Sequence, residues 1–439
     1  MSSTKSFEKV HVSGDQLLCE NKPWIMKGFS LGNLLNTESF MTGWPGTDHQ
    51  RQDITLRAWG YESSLEFWSD YRRSYFSLED AKLMSELGAN TVRLPFPFRL
   101  FYPEFPFESS GENALSVLDE IISTSAEAGL RTILDLHSVP GGQNPDSHSD
   151  DDRGVSSFWF DQSAQRRVSW LWEILAEHYK DDPRVVGYDV LNEPVVPMEC
   201  PQDVLFRFYR DTLESIRKKD PDKVVWIEGN YWGTTFQGLK ELSKENQVAF
   251  SFHFYPRYTV EKLGEHWSEK DVADPLSKQV HFLKEELGTP LWCGETGSRW
   301  SSDSIGSQLK MVEPVLKVFQ ENQVSWSLWS WKDVGAMGLF RPAADSPWNT
   351  FVTQIGWDFG EDEKKIVLLQ KQIPGDPEIT KYRLQGALQI AARETGLFPK
   401  LLHLTKKDRQ ELVQSFEIQR CSALEPVLAL VRKYLIETN

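Results

Sequence analysis

The sequence predicts an α/β chain folded as a (β/α)8 barrel of the TIM type, and three observations carry that prediction. Short apolar runs rich in β-branched and aromatic residues alternate with helical patterns along most of the 439 residues. Eight such runs can be counted, the number a closed parallel barrel needs. Several of them, VVGYDVL (185–191) and VVWIEG (224–229) among them, are apolar on both faces, as strands of a covered parallel sheet are.

The predicted strands cover 24–30, 90–94, 131–137, 185–192, 223–229, 248–255, 290–295 and 324–331. Helices are expected between them over 77–88, 113–128, 163–179, 203–218, 234–242, 275–287 and 306–320. Ser77, followed by Glu79 and Asp80, reads as an N-cap with an acidic first turn, and Gly88 as the residue that stops that helix. Two stretches break the repeat. Residues 36–76 make a long first βα loop holding Trp44, Trp59, Tyr61, Phe67 and Trp68, and 332–377 make another after the eighth strand, with Trp348 and Trp357. Loops of this length in a compact domain are usually lids or small subdomains. Residues 378–439 are helical in pattern and should supply the eighth helix and its packed extras, so 1–439 reads as one catalytic barrel domain.

Composition narrows the function. Lys and Arg total 48 against 64 Asp and Glu, a net charge of −16, which repels nucleic acid and anionic lipid. The 17 Trp must be mostly core, but they also suit a protein that stacks on the flat apolar faces of sugar rings. Cys19, Cys200, Cys293 and Cys421 lie far apart and read as reduced thiols, not a zinc or disulfide framework. With no apolar signal core at the start and no run of membrane-span length, the expectation is a cytoplasmic protein without a membrane partner.

The polar residues that end the strands are the strongest signal. Asn192-Glu193-Pro194 follows the fourth run and Cys293-Gly294-Glu295 ends the seventh. A carboxylate at the C-terminal end of a barrel strand points into the mouth, and two facing carboxylates are what glycoside cleavage needs. A lone Glu is ordinarily a surface residue, a lone His a satisfied structural one, and a lone Trp packing. Here the pair is joined by Arg93, His137, His253, Tyr255 and Trp331, on separate strand ends in barrel order. Arg93 can hold a nucleophilic carboxylate ionised. His253 and Tyr255 can hydrogen-bond the two Glu, His137 and Asn192 can reach sugar hydroxyls, and Trp331 offers a flat platform.

The motifs KGFSLGN (27–33), NTVRLP (90–95), LDLHSVPGGQN (134–144), DVLNEP (189–194), SFHFYP (251–256), WCGETG (292–297) and WSLWSW (326–331) resemble glycoside hydrolase family five. That resemblance implies that Glu193 is the acid/base and Glu295 the nucleophile of a retaining β-glycosidase, with no cofactor or metal. The His-x-x-Pro-Gly-x-Gln-Asn loop is similar to that of the exo-β-1,3-glucanase group, which implies glycone-binding roles for Glu38 and for Asp146. Asp146 is displaced by one position from the group's pattern, and the group's Trp after the paired glycines is replaced in GFSLGNLLN.

The expected activity is exo-acting cleavage of short β-linked oligosaccharides, releasing a terminal β-mannosyl (Man-β-1,4-GlcNAc type) or β-glucosyl residue. The alternatives are an open-cleft endo-β-glucanase or β-mannanase, a transglycosylase, or a sugar-binding barrel without catalysis. His148 with Asp146, Asp150, Asp151 and Asp152 can also be read as a Ca²⁺ loop, against a plain solvated acidic loop.

Overall fold

The computed structural model describes residues 7–102, 114–373 and 377–436. Eight strands close into a barrel in chain order: β1 (Lys27–Ser30), β2 (Thr91–Pro97), β3 (Arg131–Ser138), β4 (Val185–Asp189), β5 (Val224–Glu228), β6 (Val248–Phe254), β7 (Leu291–Thr296) and β8 (Ser325–Leu328). All neighbours are parallel, and β8 pairs back to β1 through Trp326 and Lys27. Each strand falls within or over one predicted run. β2, β4, β5 and β7 are buried along their whole length, which is why their sequences are apolar on both faces.

A small antiparallel hairpin, Val10–Ser13 with Gln16–Cys19, lies beneath the barrel. Val10 and Leu17 join Met26, Ile133, Val186, Trp226 and Trp292 in an apolar floor separate from the main core. The opposite, C-terminal end is left for chemistry.

Most predicted helices form. Leu78–Glu86 starts on a capping box in which the Ser77 and Asp80 side chains each bond the other's backbone N–H. The expected 113–128 helix is seen as Ala114–Glu127, Asn113 lying outside the described residues. Gln162–Tyr179, Val204–Arg217 and Ile305–Glu321 match closely. The helix expected from 275 begins earlier, at Glu269, because Ser268 and Asp271 form a capping box upstream of Pro275. The expected 234–242 helix does not form. Gly233 and Gly238 both take positive φ, 73° and 82°, and break the run into a short turn and a 3₁₀ segment. Phe236, Leu239 and Leu242 are nevertheless buried, so apolar spacing alone misled the reading.

The two long insertions are folded. Residues 36–76 contain the helices Ser39–Thr42, Asp48–Trp59 and Tyr61–Tyr75, and 332–377 contain Pro347–Ile355 and Phe359–Gln370. They share an aromatic core. Trp44 stacks on Trp348 (4.8 Å, 7°) and on Phe67 (5.8 Å, 10°), with Trp68 edge-on. Trp348 Nε1 donates to the Thr42 carbonyl at 2.7 Å, tying one insertion to the other. Of the tail helices, Glu425–Ile436 packs on Ile305–Glu321 where the eighth barrel helix belongs, and Pro377–Ala392 borders the barrel mouth. Among the described residues the four cysteines are free, and no helix is long and apolar enough to cross a membrane.

Candidate active site

Arg93, on β2 and fully buried, is the hub of the barrel mouth. Its Nη1 donates to Glu295 Oε1 on β7 (2.6 Å) and its Nη2 to Asn192 Oδ1 beyond β4 (2.7 Å). Nε donates to Asp189 Oδ2 at 3.4 Å, Asp135 lies 3.1 Å from Nη2, and Glu228 lies 3.6 Å away. The planar guanidinium fork satisfies several acids at once, which a Lys cannot do. Burial opposes its charge, but Asp135, Glu295, Asp189 and Glu228 outweigh burial and push the Arg93 pKa up. Asp189 responds in the opposite way: burial, Glu228 and Asp135 push its pKa up, against the lowering pull of Arg93 and His253.

Glu193 and Glu295 face each other across this hub. Glu193 stands at φ 47°, a left-handed conformation costing a non-glycine residue about 1–3 kcal/mol. Two side chains hold it there: Glu228 Oε2 accepts from its N–H at 2.7 Å, and Asn144 Nδ2 donates to its carbonyl at 2.9 Å. Gln143 Nε2 donates to the carbonyls of both His137 and Asn192, binding the ends of β3 and β4. The Glu193 carboxylate sits between two imidazoles, with His253 Nδ1 2.7 Å from Oε1 and His148 Nε2 3.1 Å from Oε2. Tyr255 donates its hydroxyl to Glu295 Oε2 at 2.7 Å. Glu193, His253 and Glu295 each place an atom within 4.8 Å of the others. Those atoms are committed to hydrogen bonds and ion pairs within the network, so the cluster is organised to share protons.

The protonation pattern differs from that expected of a ready acid. Burial would raise the Glu193 pKa, but hydrogen bonds from His148 and His253 hold it well below the usual carboxylate range. Burial likewise opposes charge on His253, yet Glu228, Glu295 and Glu193 push its pKa far up. The surroundings thus favour charge on both the Glu193 carboxylate and the His253 ring.

The residues assigned to the sugar also reach the mouth, with one exception. His137 Nδ1 bonds Asp135 at 2.8 Å, and its Nε2 lies 3.8 Å from Glu38 Oε1. Glu38 is only 5% exposed, so it is no solvated loop acid, and burial raises its pKa. Asp146 lines the cavity edge while its Oδ1 accepts from the Ser147 N–H at 2.6 Å. Among the described residues Asn192 Nδ2 is buried without a partner, a donor available to a ligand hydroxyl. Trp331 is the exception. It is fully buried against Phe29 and Phe340, with Nε1 donating to Asp80, and belongs to the core. The platform is Trp329, two residues earlier, whose ring lies parallel to His137 at 5.3 Å on the cavity wall. The strand β8 ends at Leu328, so alternation along 324–331 could not say which Trp turns inward.

Sequence reasoning also passed over Glu228, Asp135, Asp189 and His148. The first three are acids in β-runs already marked as buried, a visible signal; His148 was legible only as part of an acidic loop. That loop is not arranged as a Ca²⁺ cage. Asp151 accepts four backbone N–H groups from residues 153–156, and Asp150 pairs with His49 (2.8 Å) and Arg99 (2.9 Å).

A cavity of about 740 Å³ opens over the pair, walled by Glu38 and Phe40 from the first insertion, Met337 and Glu363 from the second, and Tyr382 from the tail. The chain is 31% identical over 340 residues to a β-xylosidase of Phanerodontia chrysosporium, covering 74% of this chain and 71% of that one. It is 26% identical over 358 residues to a probable glucan 1,3-β-glucosidase A of Emericella nidulans, covering 71% and 86%. Among solved structures, an endogalactoceramidase superposes with a TM-score of 0.57 at 16% identity, covering 86% of this chain and 84% of that one, a likeness of fold. The family model Cellulase (glycosyl hydrolase family 5) matches residues 48–335, and the chain belongs to that family.

Proposed function

We propose that this chain is a retaining, exo-acting β-glycosidase that releases one terminal sugar from short β-linked glycosides. One observation carries the reading: an oxygen of Glu193 and one of Glu295 lie within 4.8 Å across the mouth, bridged by His253. An inverting pair needs carboxyls about 6.5–9.5 Å apart to admit a water, whereas a retaining pair attacks directly. Glu295, fixed by Arg93 and Tyr255, is the nucleophile that bonds the anomeric carbon. Glu193 protonates the departing oxygen and then deprotonates the incoming water.

Support for exo action comes from the walls. Both insertions and the tail helix crowd the cavity, and the buried Glu38–His137 pair beside Trp329 makes a polar end for a terminal sugar. For the glycone we favour a gluco-configured β-sugar, glucosyl or xylosyl, because the relatives are named a β-xylosidase and a glucan 1,3-β-glucosidase. A mannosyl glycone, with O2 inverted, is the competing assignment. Proton NMR on laminaribiose, gentiobiose, cellobiose, xylobiose, mannobiose and Man-β-1,4-GlcNAc tests the whole reading. Initial release of a β-anomer of glucose or xylose is expected. An initial α-anomer would overturn retention, β-mannose would reassign the glycone, and early internal cleavage of laminarihexaose, added to the panel, would overturn exo action.

A further inference from the structure

His148 lies outside the strand ends, on the loop after β3, yet its Nε2 meets the leaving-group carboxyl directly. The geometry around that one nitrogen is unusual. Two groups converge on it: Glu193 Oε2 at 3.1 Å and Asn144 Nδ2 at 2.9 Å. A single ring nitrogen cannot serve both at once, because a protonated Nε2 donates to the carboxylate and only a bare one accepts from an amide. The orientation of Asn144 is fixed independently. Its Oδ1 accepts from the Asp146 N–H at 3.0 Å, and its Nδ2 also donates to the Glu193 carbonyl, so the amide N–H₂ must face the ring. The site is therefore built for two states of His148.

Resting on the assignment of Glu193 as acid/base, we propose that His148 stores, as imidazolium, the proton that Glu193 hands to the departing oxygen. The step balances without any further reagent. The proton moves from Nε2 to Glu193 Oε2, the imidazolium–carboxylate pair becomes neutral, and Asn144 Nδ2 donates to the emptied Nε2. Glu193 then gives that proton to the glycosidic oxygen as the bond to the anomeric carbon breaks and Glu295 takes its place. In the second half-reaction the water oxygen bonds the anomeric carbon as its bond to Glu295 breaks, while Glu193 takes the proton that water gives up and can return it to His148. His253 meets the other carboxylate oxygen through Nδ1, where no amide donor converges among the described residues, and its Nε2 faces the acid Glu228 at 3.2 Å.

The surroundings favour a charged His148 in the resting state. Facing it are Glu193 from the end of β4, Asp146 on its own loop (3.9 Å from Nδ1), Glu38 from the first insertion and the His137 ring at 6.0 Å. Burial alone would lower its pKa, but the bond to Glu193 and the charges of Asp146, Glu193 and Glu38 lift it to about 10. The pair thus keeps one transferable proton far into the alkaline range.

The test uses phenyl and 2,4-dinitrophenyl β-glycosides of whichever sugar the wild type releases. His148→Gln retains an amide that can bond Glu193 but cannot titrate. In that variant the alkaline limb of kcat/KM should move at least one unit to lower pH. At pH 8 the phenyl substrate, which needs protonation, should lose tenfold or more relative to the dinitrophenyl one. A merely structural role would lower both substrates alike and leave the limb in place, and that result overturns the inference. Imidazole NMR on the wild-type protein needs no variant to fold: His148 should be protonated at pH 7.5, and a neutral ring there also overturns it. Glu193→Ala separates the two levels. If it spares the dinitrophenyl substrate while His148→Gln leaves the limb unmoved, the inference fails and the acid/base assignment stands. If it damages both substrates equally, the assignment itself fails.

Discussion

Around Arg93, four buried acids and the Asn192 amide meet on one guanidinium, which also lies over the rings of Trp292 and Trp329. Around Trp44, a short distance along the same chain, Trp348, Phe67, Trp68 and Phe351 pack ring against ring with few polar atoms. Each region is buried, but they hold different kinds of energy. Desolvated charge is expensive and is recovered only by full pairing, so the polar centre contributes little net stability and much reactivity. The aromatic core buries large apolar area and gains the edge and stacking terms of ring pairs, so it contributes stability and no chemistry. The abundance of Trp follows from packing far more than from sugar recognition, since most of the tryptophans are buried in the barrel and the insertions. Of the aromatic residues in the first insertion, Trp44, Phe67 and Trp68 are core and Phe40 lines the cavity, where Trp232 and Trp329 join it from other loops.

The sharpest break between the regions is expected from Glu295→Gln and Trp44→Ala. Glu295→Gln removes the carboxylate proposed to bond the anomeric carbon, so turnover on an aryl β-glycoside should fall by about 10⁴-fold or more, roughly 5.5 kcal/mol. Its melting temperature should hold or rise, since one charge leaves a crowded buried cluster. Trp44→Ala should do the reverse. Loss of a fully buried Trp costs about 3–5 kcal/mol of stability by denaturant titration, while kcat per folded molecule stays near wild type. A large stability loss in Glu295→Gln, or a turnover loss in Trp44→Ala, would dissolve the division.

Next in size is Glu193→Ala. General acid assistance is worth about 10²–10⁴-fold, so phenyl glycosides should lose that much and dinitrophenyl glycosides far less. Substrates that leave without protonation bypass the residue, which the aromatic core has no counterpart for.

Trp329 and Trp331 carry the same comparison down to residues two positions apart. Trp329→Ala should raise KM about tenfold, near 1.4 kcal/mol, and should also lower the melting temperature, because the ring is buried against Met41 and Met337. Trp331→Phe loses the bond to Asp80 and should cost about 1–3 kcal/mol of stability with unchanged kinetics. If Trp331→Phe altered KM, the assignment of the platform to Trp329 would be wrong.

These two tryptophans also show what sequence can and cannot carry. The eight strands and the polar residues at their ends were legible because period and position determine where a strand-end side chain points. Arg93, His137, Asn192, Glu193, His253, Tyr255 and Glu295 all converge as expected. Trp331 did not, because β8 stops pairing at Leu328 and the chain beyond it no longer alternates. The insertions were seen as interruptions and not as helices, since their order depends on rings packing between segments some 300 residues apart. His148 was hidden for a similar reason: its meaning lies in Asn144 and Glu193, and only the folded loop brings them to one nitrogen.

The smallest expected effect is on stability against pH, and its sign follows from the imidazoles. Burial opposes charge on His137, but Asp135 and Glu38 lift its pKa from the ordinary value near 6.5 to about 9. Between those values the folded chain holds a proton that the unfolded chain has lost. The stabilisation is therefore full below pH 6.5 and drains as the pH rises toward 9; His148 acts in the same sense up to about pH 10. The aromatic core is silent in this window, because Tyr71 and Tyr75, their pKa values raised by burial, stay neutral in both states below pH 10. Calorimetry at half-unit steps should thus show the melting temperature falling from pH 6.5 to 9, with a shallower fall in His137→Gln. Trp44→Ala should start lower and keep the wild-type slope. Equal slopes in His137→Gln and wild type would mean that the Asp135–His137–Glu38 contact holds no extra proton, and the polar centre would then stabilise the fold by packing, as the aromatic core does.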